Sequence, residues 1–196
     1  MLLTLLLAAG LTCGVERADV KHLSDPAAKQ VKFNPAEHST VADLAGLPLL
    51  PSPVRGSEPR GLGHEEFKVF TVDAYIAFAK KETDLDAHIV ITDTPPTKVK
   101  VKSKAKTVIP KPSMIVESVD PRCAPDSIAL DMIRAAREAI LTATNSTALS
   151  TKSLQRLVGK HVRVTGVGFY DPLHGQTGVA ENGIELHPLT GFQIIQ

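Results

Sequence analysis

Apolar and polar residues alternate along "FKVFTVDAYIAFAKKE", with Phe70, Val72, Ala74, Ile76 and Phe78 on one face and Thr71, Asp73 and Tyr75 on the other. A period of two belongs to extended chain, whose successive side chains point to opposite sides, so this stretch predicts a long strand. "AHIVITD" (87–93) is nearly all apolar and predicts a central strand, and "SMIVESV" (113–119) predicts a third. The period then changes. In "PRCAPDSIALDMIRAAREAILTAT" Ile128, Met132, Ala136 and Ile140 recur at helical spacing, Asp126 or Ser127 can cap, and Pro125 stands just outside. "KHVRVTGVGFYD" (160–171) returns to a strand with Val162 and Val164 inward, and "NGIELHPLTGFQII" supplies the last strand or hairpin.

The order β-β-β-α-β-β is that of the oligonucleotide/oligosaccharide-binding (OB) barrel, in which a helix follows the third of five strands and plugs one end. The predicted fold is therefore mainly β with one helix, an OB-like five-stranded barrel over residues 64–196. Gly166 and Gly168 suit a bend where a small barrel turns a corner. Residues 15–63 lack sustained periodicity, and "GLPLLPSPVRGSEPRGLG" is rich in Pro and Gly, so a flexible arm is expected there. The opening "MLLTLLLAAGLTCG" is apolar but too short to span a membrane, and reads as a signal peptide over residues 1–14. Export to the periplasm or outside the cell follows, with no transmembrane segment in the mature chain. A lipoprotein anchored at Cys13 is the less favoured alternative.

Aromatic residues make up 4% of the chain and Trp is absent, so the core must be aliphatic. A net charge of +1 confines any polyanion-binding role to a local patch. Cys13 and Cys123 are the only cysteines. They can bridge if processing leaves Cys13 in place; otherwise Cys123 is a lone thiol in an oxidising compartment.

Three patterns carry chemistry. Asp84, Asp86 and His88 fall at i, i+2 and i+4, so an extended chain puts all three on one face, where they can hold a divalent metal; the plain alternative is a polar turn. Glu185 and His187 share a strand face, and His174 sits in the Gly-rich loop "DPLHGQTG" with Asp171. A histidine beside a carboxylate is the minimal general base, which makes His174, Glu185 and His187 the catalytic candidates; the plain alternative is a hairpin. Lys98, Lys100, Lys102, Lys104 and Lys106 fall at every second residue, and an extended chain lines them on one side as a ridge for a polyanion, or as an exposed ribbon whose charges block edge pairing. Glu117 can face the same way as His88. No Gly-rich phosphate loop, Cys-x-x-Cys, His-Glu-x-x-His or Gly-x-Ser-x-Gly occurs.

The segments "ETDLDAHIVI", "MIVESVDPRC" and "VTGVGFYDPLHGQTGVAENGIELHPL" together resemble a group of uncharacterised exported bacterial proteins, over roughly residues 66–192. The resemblance implies that Asp84, Asp86, His88, Glu117, Cys123, His174, Glu185 and His187 belong to one pattern, and it implies no reaction. "ITDTPPTK" (91–98) resembles a turn of staphylococcal-type nucleases, which are calcium-binding OB barrels; Pro96 stands where that family carries its catalytic Glu. The leading expectation is an exported domain that binds a polar or polyanionic ligand at the barrel mouth. A metal-dependent hydrolase of phosphodiesterase or nuclease type, and a structural envelope module, are the alternatives.

Overall fold

The computed structural model describes residues 12–101 and 104–195. Ahead of the first expected strand lie a one-turn helix α1 (Ala18–Lys21), a strand β1 (Lys32–Ser39) and a short helix α2 (Val41–Ala45). The long strand follows as β2 (Lys68–Lys81), then β3 (Ala87–Thr92), a ribbon of β4 (Thr97–Val101) and β5 (Lys104–Val108), and β6 (Met114–Ser118). Helix α3 (Leu130–Ala143) and the turn α4 (Thr151–Leu154) lead to β7 (His161–Tyr170) and β8 (Ile184–Ile194).

Strands β2, β3, β6, β8 and β7 hydrogen-bond in that order, and β7 returns to β2, closing a five-stranded barrel. Neighbours are antiparallel except β6 and β8, which pair in parallel at Ile115–Glu185 and Val116–Leu186. With the helix ahead of the fourth barrel strand, this is the OB-like arrangement expected from the element order. Phe70, Val72, Ala74, Ile76, Ile89, Ile91, Val116, Val164 and Leu186 fill the interior, each fully buried Val, Ile or Leu contributing about 1.5–3 kcal/mol.

Two expected faces shift. The register of β2 against β3 slips between Ile76 and Phe78. An inserted residue exchanges the faces beyond it, so Ala79 enters the core in place of Phe78. Helix α3 starts at Leu130, after the caps expected at Asp126 or Ser127, and buries Ile133, Ala136, Arg137 and Ile140. Ile128 precedes the helix and Met132 lies at the margin of its buried stripe; they are 47% and 36% exposed.

Residues 15–63 are not a loose arm. Strand β1 pairs in parallel with β2, with His38 beside Thr71. Val41 and Leu44 enter the barrel core, and the Asp93 carboxylate accepts the N–H groups of Val41 and Ala42 at 2.9 and 2.8 Å. Leu23, Ala28 and Val31 pack with Val69, Val119, Ile133 and Val167 in a second apolar cluster. Val69 and Val167 neighbour core-facing Phe70 and Gly166 on their strands, so they look outward, and the amino-terminal segment covers the outside of the wall. Apolar residues docking singly on a preformed surface need no period, which is why the pattern hides them.

Two links fasten that segment. Cys13 is bonded to Cys123, 110 positions away. Arg17 and Glu66 form a pair at 2.7 Å with both side chains fully buried. Residues 1–11 of the expected signal peptide lie outside the described residues. A cleavage after residue 14 would remove half of the bridge, and lipidation would consume the Cys13 thiol that makes it.

Candidate functional site

Ala87 and Ile89 of β3, Met114 and Val116 of β6, and Ile184 and Leu186 of β8 face the barrel interior. By alternation His88, Glu117, Glu185 and His187 face outward. They stand on the outer wall of the barrel rather than at its mouth, where ligand binding was expected, with His88 directly across from Glu117. An outer face is ordinarily solvated, yet these four are only 2%, 8%, 2% and 1% exposed. The amino-terminal segment and the loop from Asp171 to Gly183 cover them. The Thr177 carbonyl of that loop accepts from His88 Nε2 at 2.9 Å. Gly178 allows the approach: its φ is +82°, and a Cβ there would collide with Val90.

Glu117 joins two groups. Its Oε1 is 3.0 Å from His88 Nδ1, and its Oε2 is 3.3 Å from His187 Nδ1. His187 Nε2 lies 3.5 Å from Asp86 Oδ2, and the other Asp86 oxygen accepts the Asp120 N–H at 3.0 Å. Glu82 Oε1 approaches His88 Nδ1 to 3.6 Å. Two triads therefore share Glu117: Glu82–His88–Glu117 and Asp86–Glu117–His187, each offering ligand atoms within 4.8 Å of one another. Alongside, Lys21 Nζ is 3.0 Å from Asp171 Oδ1, and Gln176 donates to Asp171 Oδ2 at 2.7 Å.

Burial sets the protonation of this cluster. It pushes the His187 imidazole down to about 4, despite the Glu117 charge. His187 is thus neutral near pH 7 and its carboxylate contacts are not ion pairs. Burial raises Asp86 to about 6. It also raises Glu185 well above the usual carboxylate range, helped by the charges of Asp171 and Glu117. Burial works against a proton on His88, but the hydrogen bond and charge of Glu117 outweigh it and the pKa stands above normal. Lys21 is likewise opposed by burial, yet the charges of Asp171 and Glu117 hold it protonated.

A recess of about 360 Å³ opens above this floor. Glu16, Glu82, Asp84, Glu117, Asp171 and Glu185 line it, against Lys21 and Lys80. A larger cleft of about 510 Å³, beside β1 and the start of β2, includes Pro35, Phe67 and Val69 and none of the buried cluster.

No protein-family model, curated protein or solved structure matches the chain. The residues alone carry the functional reading.

Among the expected metal ligands, Asp84 separates from its partners. Leu85 takes a left-handed φ of 78°, which breaks the alternation, and Asp84 Oδ1 instead accepts the Asp86 N–H at 3.2 Å. Asp86 and His88 fall in different triads. Of the catalytic candidates, Glu185 and His187 are enclosed, whereas the His174 side chain is 59% exposed at the rim, 3.7 Å from Asp171 Oδ2. The expected lysine ridge folds back on itself. Lys98 pairs across the ribbon with Thr107 and Lys106 with Val99, so these two lysines lie on opposite faces, and the paired backbone positions Lys100–Ala105 and Val101–Lys104 continue the register. Lys102 lies outside the described residues. Glu82 and Lys21 escaped the sequence reading: Glu82 carries only its place four residues ahead of Asp86, and Lys21 carries no signal.

Proposed function

We propose that this chain is an OB-like binding domain that holds a small cationic ligand in the acidic recess on its outer wall. The carrying observation is the lining: six carboxylates around about 360 Å³, against Lys21, Lys80 and His88, whose pKa stands above normal. Burial favours the neutral form of Glu185, and the other five carboxylates still outnumber these three basic groups. A low-dielectric cleft of one sign concentrates ions of the other, and the volume suits a small molecule. This charge disfavours the polyanion considered from sequence, and lysines on opposite faces of the ribbon offer no continuous track for one. The Cys13–Cys123 bridge supports an oxidising compartment, and with it export. Among the described residues no helix is long and apolar enough to cross a membrane.

Calorimetry and thermal shift with spermidine, putrescine and glucosamine, against heparin and glucose 6-phosphate, test this reading. The amines are expected to bind, more weakly as salt rises, and Asp171→Asn is expected to weaken them. Binding of the anions in place of the amines would refute it. A second reading, hydrolysis of the bound ligand, draws on the exposed His174 beside Asp171, the arrangement of a general base. Turnover of ester or phosphodiester substrates that His174→Ala abolishes would support it; no turnover would remove it.

A further inference from the structure

We propose that a divalent transition-metal ion of the zinc class binds beneath the recess, on Asp86, Glu117 and one ring nitrogen of His187. The site shares Glu117 with the recess but stands whether or not an organic cation binds above it.

His187 carries the inference. Its side chain is fully enclosed, and neither ring nitrogen has a hydrogen-bond partner. Buried polar atoms almost always have partners, and each one left without costs about 1–3 kcal/mol. Here two such atoms sit on one ring, 3.3 Å from Glu117 Oε2 and 3.5 Å from Asp86 Oδ2. The two contacts use different ring nitrogens, so an ion bound at one nitrogen leaves the other facing its own carboxylate. One atom from each of the three residues lies within 4.8 Å of the others. Zinc bonds of about 2.0–2.2 Å set tetrahedral ligands about 3.3–3.6 Å apart, so ligand atoms now within 4.8 Å of one another must draw together around the ion. The second ring nitrogen then keeps its proton and donates to the facing carboxylate, the usual support for a metal-bound histidine.

Charge and donor type narrow the ion. Two carboxylates neutralise a divalent cation, and a water facing the recess can complete four ligands. Calcium wants six to eight oxygens, which three residues with one imidazole do not supply. A nitrogen and two carboxylate oxygens suit zinc, and then iron(II) or manganese. Asp86 is also braced, its second oxygen held by the Asp120 N–H, while Arg137 donates to the Leu85 and Ser118 carbonyls beside it.

The test uses the full chain, stripped with a chelator and titrated with zinc, manganese and calcium chlorides by calorimetry, with elemental analysis after dialysis. One zinc per chain is expected, manganese weaker and calcium absent. His187→Gln and Asp86→Asn, each checked for folding by circular dichroism, should weaken zinc by more than about 100-fold, since loss of a supporting group alone costs 10–100-fold. Asp171→Asn should weaken zinc by far less than either ligand variant while it weakens the amines, which separates this site from the amine site above. If both ligand variants unfold, cobalt(II) added to the unaltered chain decides through the intense visible bands of a four-coordinate N/O site. No stoichiometric ion in folded protein, zinc retention in folded His187→Gln, or cobalt without those bands overturns the proposal.

Discussion

Arg17→Met removes five hydrogen bonds in one step. The guanidinium donates to both Glu66 oxygens at 2.7 and 3.0 Å, to the Tyr170 carbonyl at 2.6 Å, and to the Glu58 and Pro59 carbonyls at 2.9 and 3.0 Å. Glu66 would keep three backbone donors, from Gly61, Leu62 and Tyr170, but would lose its countercharge in a site with no solvent access. Breaking a buried pair from one side costs about 3–5 kcal/mol. In a chain of this size each kcal/mol is worth about 2–4 °C, so the melting temperature should fall by about 6–20 °C. Urea denaturation followed by circular dichroism measures the free energy directly. Arg17→Met/Glu66→Gln removes both charges, and its loss should be smaller than the sum of the single losses by at least about 0.5 kcal/mol, the scale of coupling between touching residues. A single-variant loss below about 1 kcal/mol, or strict additivity, would refute the view that this pair pins the amino-terminal segment to the barrel.

Two further outcomes follow from the same segment. Cys13→Ser/Cys123→Ser should lower stability by up to about 4.7 kcal/mol, the chain-entropy value for a loop near 100 residues; non-reducing peptide mapping of the unaltered protein should recover the two cysteines in one linked fragment, and two free thiols there would contradict the bridge. His22 is held below the normal histidine pKa by burial, with the neighbouring His187 adding to the effect. The unfolded chain therefore takes up the proton first, so the contribution of His22 is complete above about pH 6.5 and shrinks as the solution is acidified below it. The difference in melting temperature between the unaltered chain and His22→Gln should narrow from pH 8 to pH 5, and a gap that widens would reverse the sign.

The barrel strands were legible because Val72, Ala74 and Ile76, or Val162 and Val164, repeat at a period that only extended chain satisfies. The slip after Ile76 was not, since an inserted residue leaves composition unchanged and is fixed by pairing with β3. Leu23, Ala28 and Val31 were invisible for a related reason: their burial depends on Val69 and Val167, more than 35 positions away in sequence. At the site, His88, Glu117, Glu185 and His187 could be read from their unusual place on apolar strands, and Asp86 from its spacing two residues ahead of His88. Their grouping could not, because the parallel contact of β6 with β8 sets it. The misplaced Asp84 turns on one left-handed residue, Leu85, which carries no glycine to announce it.

The cover of the site joins the start of the chain to its last third: Arg17 bonds to Tyr170 across 153 positions, and Lys21 meets Asp171. During synthesis Arg17 and Lys21 cannot complete these contacts until Tyr170 and Asp171 emerge. Such long-range closure is slow, so partial chains and clipped products would carry the barrel's apolar exterior uncovered and no finished cavity. Possession of the buried histidine environment is then a certificate that the molecule was completed from end to end.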